Sequence, residues 1–168
     1  MARVVKKLAL PSKKNRIGLD QEHSKMLAEK LNVLLSSYQV FYINTRGFHW
    51  NISGDKFFEL HVKFEQLYND LANKIDVIAE RIVTLGYTPV HTFSGYLKAS
   101  AIPEETNITD DKTCVQMIVD SLHTILNEQR ELLDISDEAR DEGTNSLMSD
   151  YIREQEKLVW MYSAYLGI

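Results

Sequence analysis

From Phe57 to Leu85 the chain runs without a proline or a glycine, and its apolar residues recur at steps of three and four. Phe57, Leu60, Phe64, Leu67, Leu71, Ile75, Ile78, Ile82 and Leu85 trace one stripe, the pattern of an amphipathic helix with a single face turned to a core. At about 100° per residue, His61, Glu65, Asp76 and Glu80 fall within a second stripe beside that face. Glu65 and Asp76 are eleven positions apart, about 16 Å along a helix rising 1.5 Å per residue. Ligand atoms must lie about 2 Å from a transition metal, so His61 and Glu65 cannot share an ion with Asp76 and Glu80 of the same helix. Two copies of the helix running antiparallel across a two-fold axis would bring one pair from each chain together. That arrangement yields two equivalent sites per dimer.

The rest of the chain supplies partners for this helix. Leu27, Leu31, Leu34, Tyr38, Phe41, Thr45 and Phe48 mark a first helix from about Asp20 to Trp50. Asn51 to Asp55 reads as a short turn, in which Gly54 is free to take a left-handed conformation. Gly86, just past the last apolar position, is a helix stop signal. Residues 87–108 contain Pro89 and Pro103 and form a long connection, with a short helix expected over Ser94 to Ser100. Thr109 or Asp110 caps the next long helix, whose stripe runs Val115, Ile118, Leu122, Ile125, Gln129, Leu132, Ala139, and Gly143 is expected to break it. Met148, Tyr151, Ile152, Gln155, Val159, Tyr162 and Leu166 mark the last helix. Four long helices, two tight turns and one long crossover describe an all-α, ferritin-like four-helix bundle over residues 19–168, preceded by a basic tail over 1–18.

Composition excludes several alternatives. No apolar run approaches the roughly 18 residues of a membrane span, and the N-terminus lacks the apolar centre of a signal peptide. Cys114 is the single cysteine; it reads as a small buried residue in a protein of the reducing cytoplasm. No nucleophile elbow, phosphate-binding glycine loop or zinc-finger spacing is present. His23, His91 and His123 have no partner at ligand spacing, and Trp160 reads as packing.

Histidine with carboxylates, and no thiolate, suits iron, manganese or zinc. His49, at the end of the first helix, is placed to join His61 as a second imidazole. The bland alternative is that these residues are a solvated flank. Against it, Phe58, Val62, Ala72, Ala79 and Val83 share the flank, and so many apolar side chains point to a second packed surface against another chain. Polar groups inside such a contact are costly unless paired or metal-bound.

The stretch FHWNISGDKFFELHVKFEQLY, followed by DVIAER and by the ending KLVWMYSAYLG, resembles the Dps family, the miniferritins that protect bacterial DNA during starvation. The resemblance extends over nearly the whole length. It implies a hollow dodecamer with ferroxidase centres at two-fold interfaces. His49, His61 and Glu65 would come from one subunit and Asp76 and Glu80 from its neighbour, holding two iron ions, for which zinc can be a surrogate. The family usually carries Asp where this chain has Glu65, so the arm to the more weakly held second iron is a methylene longer. The implied reaction is oxidation of Fe(II), preferentially by hydrogen peroxide, with ferric mineral kept inside the shell. Trp50, next to a ligand, would donate an electron to stray oxidants; its alternative is a plain interface aromatic.

Asp134, Asp137, Glu138, Asp141 and Glu142 crowd one helix end. Acids there oppose the macrodipole, and in similar shells the region lines a three-fold pore whose field draws in Fe(II). A solvated charge run is the competing reading. The tail holds Arg3, Lys6, Lys7, Lys13, Lys14 and Arg16 with no acid, leaving a net −11 on the remainder of a chain whose total is −5. As an arm it could grip DNA phosphates, more strongly when repeated on one shell. The acidic body and the lack of tail aromatics argue instead for a solubilising or assembly role. Two further functions therefore stand beside the ferroxidase: a shell that coats DNA physically, and a zinc-binding interaction protein without redox turnover.

Overall fold

The computed structural model describes residues 13–168. Its helices are α1 (Gln21–Asn51), α2 (Phe57–Thr84), α3 (Phe93–Ala99), α4 (Asp111–Glu138) and α5 (Glu142–Leu166). Three of the long helices begin at an aspartate. Asp20 accepts the Glu22 and His23 amides, Asp110 that of Thr113 and Asp141 that of Thr144, so donors without an intrahelical acceptor are satisfied. Lys56 precedes α2 without a capping side chain. There the turn closes through Gly54, at φ 98°, whose carbonyl accepts the Phe57 amide at 3.1 Å. At the far end Gly86 has φ 96°, and the Tyr87 and Gly86 amides reach back to Ile82 and Val83, the bond pair that closes a helix through a left-handed glycine.

Packing follows the apolar stripes. α1 lies along α2 and α4, and α5 lies along α4. Leu27, Leu34 and Phe41 meet Phe64, Leu71 and Ile78 in the centre, with Ile118, Ile125 and Met148 completing the core. The Ser53 amide bonds to Thr109 O at 3.1 Å, which places the start of α4 beside the α1–α2 turn. α4 therefore runs parallel to α2, and the crossover must travel the length of the bundle. α1 carries it on three polar side chains. The Asn32 carbonyl oxygen accepts the Val90 amide at 2.7 Å. Ser37 Oγ accepts the Ala101 amide at 3.2 Å. Asn44 donates to Pro103 O at 2.8 Å and accepts the Glu105 amide at 3.0 Å. These bonds supply what a segment without regular structure lacks.

α2 and α5 close less tightly than the other neighbours. A cleft of about 410 Å³ remains between them, lined by Leu60, Leu67, Leu158 and Tyr162. Lys74, buried in this seam, bonds to Asp70 at 2.6 Å and to Glu154 at 2.9 Å.

Two sequence expectations shift. The short crossover helix starts at Phe93 and ends at Ala99. Gly143 does not break a helix; it lies in the first turn of α5. The reversal falls earlier, at Ala139–Asp141, where Arg140 takes φ 55° and the Asp141 amide returns to Ser136 O at 2.8 Å. Residues 13–18, counted with the basic tail in the sequence, are bonded to the bundle. Lys14 pairs with Asp20 in an isolated antiparallel bridge, and the Asn15 amide group donates to Ser24 Oγ and Leu85 O. Arg3, Lys6 and Lys7 lie outside the described residues. Among the described residues no helix is long and apolar enough to cross a membrane.

Candidate metal centre

The α1–α2 turn folds the end of one helix against the start of the next, and this brings His49 and His61 face to face. Their ring centroids are 3.7 Å apart at an interplanar angle of 21°. Each ring is held by the other residue's backbone: His49 Nδ1 donates to His61 O at 2.7 Å and His61 Nδ1 to His49 O at 2.8 Å. A carbonyl only accepts, so Nδ1 of each ring carries the proton. In the neutral ring the lone pair is then left on Nε2, the atom free to bind a cation. Phe57 stacks on His61 with a centroid distance of 5.1 Å, and Tyr68 meets His49 in a T-shaped contact at 5.3 Å. Both imidazoles are thus oriented before any ligand arrives.

Glu65 follows His61 by one helical turn and is exposed, as are Asp76 and Glu80 further along. No described side chain forms an ion pair or hydrogen bond with any of these three carboxylates, whose neighbours on the same flank are apolar and uncovered. Phe58 is 82% exposed, Val83 59% and Val62 48%. Among the described residues of one chain, no three histidine, cysteine or acidic side chains converge on a common point. The structure brings His49 and His61 together with Glu65 on the adjoining turn, and it leaves Asp76 about 16 Å and Glu80 about 22 Å beyond Glu65 along the same helix.

Trp50 is exposed at the end of α1, and the Arg46 guanidinium lies over its ring at 4.7 Å. The same guanidinium faces Tyr42 at 5.4 Å and Tyr68 at 5.8 Å and donates to Tyr42 Oη at 3.1 Å. Sequence reasoning did not find this cluster. Its signal was the i, i+4 spacing of Tyr42, Arg46 and Trp50 on one helix face.

The acidic helix end divides. Asp134, Asp137, Glu138 and Glu142 are exposed. Asp141 is not available to a pore, because it is 2% exposed and serves inside the fold. It accepts from Arg81 Nη2 and from Thr144 Oγ1, the latter at 2.6 Å, while capping α5. Burial alone would raise its carboxyl, but the bonds from Thr144 and Arg81 and the guanidinium charge outweigh that and hold it below the usual range. Of the tail cations, Lys13, Lys14 and Arg16 are exposed at the bundle end. Cys114 is fully buried, and that burial pushes its thiol up to about 12, which removes it as a nucleophile.

Comparison with known proteins agrees with this geometry. The family model of the Ferritin-like domain matches residues 28–168. A DNA protection during starvation protein of Porphyromonas gingivalis is 43% identical, over 88% of this chain and 93% of its own. The crystal structure of a Dps protein from Vibrio cholerae, described as a member of the ferritin-like diiron-carboxylate superfamily, superposes with a TM-score of 0.91. It is 56% identical, covering 94% of this chain and 99% of that one. A Dps from Bacillus brevis follows with a TM-score of 0.84 at 33% identity, over 86% and 97% of the two chains. A helical bundle, paired imidazoles beside a carboxylate-bearing helix and relatives of this closeness lead to one assignment: the chain belongs to the Dps family of ferritin-like proteins.

Proposed function

We propose that this protein is a ferroxidase and iron store that takes Fe(II) and hydrogen peroxide as substrates and keeps ferric mineral inside a twelve-subunit shell. The observation that carries the reading is the reciprocal Nδ1 bonding of His49 and His61. It leaves two Nε2 lone pairs beside the turn that carries Glu65, on a helix whose other two candidate ligands, Asp76 and Glu80, are too distant to share their ion. Asp76 and Glu80 of a second copy complete the set when the exposed flanks of two α2 helices meet antiparallel. Burying Phe58, Val62 and Val83 supplies the driving force for that contact. The anionic oxygens stabilise Fe(III) over Fe(II), because hard ligands favour the higher charge.

In the reaction two Fe(II) ions each give up one electron, the O–O bond of peroxide breaks, and two protons are taken up to release two waters. A two-electron step of this kind frees no hydroxyl radical. The diiron-carboxylate description of the Vibrio cholerae relative supports iron as the metal. A Listeria innocua Dps, 27% identical with a TM-score of 0.81, was soaked with zinc, which supports zinc as a surrogate.

The test uses the shared site. Asp76→Ala and His61→Ala should each suppress fast Fe(II) oxidation by peroxide while leaving assembly intact. Subunits of the two variants, dissociated and reassembled together, should regain activity, since a hybrid dimer keeps one complete centre. Mixed shells as inactive as either parent would overturn the shared site.

A second reading is favoured by the names of the relatives, which protect DNA, and by the exposed Lys13, Lys14 and Arg16 at the root of the basic segment. Phosphate contacts made there would weaken steeply with salt. Unchanged DNA mobility at low salt, with or without residues 1–12, would remove this reading.

A further inference from the structure

Arg81 follows Glu80 directly but lies on the other side of α2, about 100° around the axis. Its guanidinium meets three neighbours at the α4–α5 corner. Nη2 bonds the buried carboxylate of Asp141, and Nε donates to Thr144 Oγ1 at 2.9 Å. Gly143 provides the third surface: a Cβ there would lie 2.9 Å from Arg81 Nη1 and 3.0 Å from Cζ. The missing side chain is what lets the guanidinium lie against the backbone. Asp141 is itself immobilised, since it caps α5 through the Thr144 amide at 3.1 Å. The corner is therefore a rigid socket, and the side chain plugged into it belongs to the ligand-bearing helix.

The socket is one of two polar attachments between α2 and α5 among the described residues. The two helices close loosely around a cleft beside the first half of α2, and among the described residues Lys74 and Glu154 form the other polar link. Asp76 and Glu80 precede Arg81 by five and one residues; the buried stripe of Leu71, Ile78 and Ile82 sets the register of α2 against α1, and the socket fixes the last increment of height and angle on the α5 side. That increment counts, because metal–ligand distances tolerate about 0.2 Å.

We propose that Arg81, seated on Asp141, Thr144 and the backbone of Gly143, is a positioning residue that places Asp76 and Glu80 at the centre they share with a second subunit. This rests on the shared-centre reading above. Arg81 acts through the helix and does not touch the metal. Gly143, in the first turn of α5 with ordinary helical backbone, acts only by leaving room for it.

The distinguishing variant is Gly143→Ala in the full-length protein. It keeps the buried charge pair, suits a helix better than glycine, and displaces the guanidinium by a few tenths of an ångström. Anaerobic Fe(II) titration and the initial rate with peroxide are read beside thermal stability and oligomeric state. Gly143→Ala should weaken Fe(II) binding about tenfold, the loss typical of a group that orients a ligand, with the assembly intact. Arg81→Met paired with Asp141→Asn removes both charges, so no lone ion is left buried. It should show the same weakening, and adding Gly143→Ala to that background should change nothing further.

Unaltered Fe(II) affinity in Gly143→Ala, or an equal extra loss in the charge-free background, overturns the positioning role. Wild-type protein that binds no Fe(II) at all overturns the shared centre instead, so the two failures are told apart.

Discussion

At the scale of single residues the decisive contacts are those made to backbone. His49 and His61 were legible as a candidate pair from their types and spacing, but the bonds that fix their tautomers were not. The acceptors are carbonyls, which every residue has, and only the turn between α1 and α2 brings them into range. Asp141 was misplaced for a related reason. In a run of acids nothing local separates a solvated carboxylate from a buried one; the difference lies in Arg81, sixty positions earlier. Glu128 was overlooked altogether. Ser37 Oγ donates to its Oε1 at 2.9 Å, while Oε2 is buried without a bond from any described residue. Burial pushes this carboxyl from the ordinary 4.5 up to about 7, against the Ser37 bond, with Glu131 adding to the rise and Lys30 opposing it. Between those two values the folded chain keeps a proton that the unfolded chain releases, so stability falls as pH rises through the window and levels off above about 7. Glu128→Gln carries no charge and should abolish that slope. Urea unfolding should find it more stable by on the order of 2–3 kcal/mol on the alkaline side and similar to wild type below pH 4.5.

Among the elements, α2 was the most legible, because twenty-eight residues without a breaker leave period as the dominant signal. Its start at Phe57 and its stop before Gly86 appear where the apolar stripe and the glycine put them. The α4–α5 corner was not legible. Gly143 looks like the breaker, yet the left-handed residue is Arg140, held by the cap that Asp141 builds around Thr144. The path of the crossover was inferable from its length, but its fastening was not, since asparagines inside a helix carry no mark of what they bind. Asn44 serves two backbone groups at once. Asn44→Ala should therefore strand one carbonyl and one amide and cost about 1–3 kcal/mol in urea unfolding. Hydrogen exchange should rise at Glu105 and not in the helix cores. Protection unchanged at Glu105 would show that the crossover is fastened elsewhere.

For the whole molecule, the described chain is complete as a bundle and incomplete as a surface. The core stripe of α2 is covered, while the flank with Phe58, Val62 and Val83 is not. That second surface was readable in advance, because a purely solvated flank would not be built from such residues. Phe58→Lys puts a charge where two flanks would meet. It should leave the helix content of the subunit unchanged, shift sedimentation toward the monomer, and remove iron oxidation with it. A fully assembled, active Phe58→Lys protein would mean that the subunits join through some other face.

The distance between the two halves of ligand set along α2 has a consequence for a chain newly released from synthesis. On the shared-centre reading a lone chain holds an unfinished cup at either end and should neither sequester a cation firmly nor turn one over. Competence should then arrive only on encounter, and in dilute solution turnover should climb with the square of concentration until the subunits are saturated with one another. Iron chemistry would thereby be withheld until a second subunit is in place.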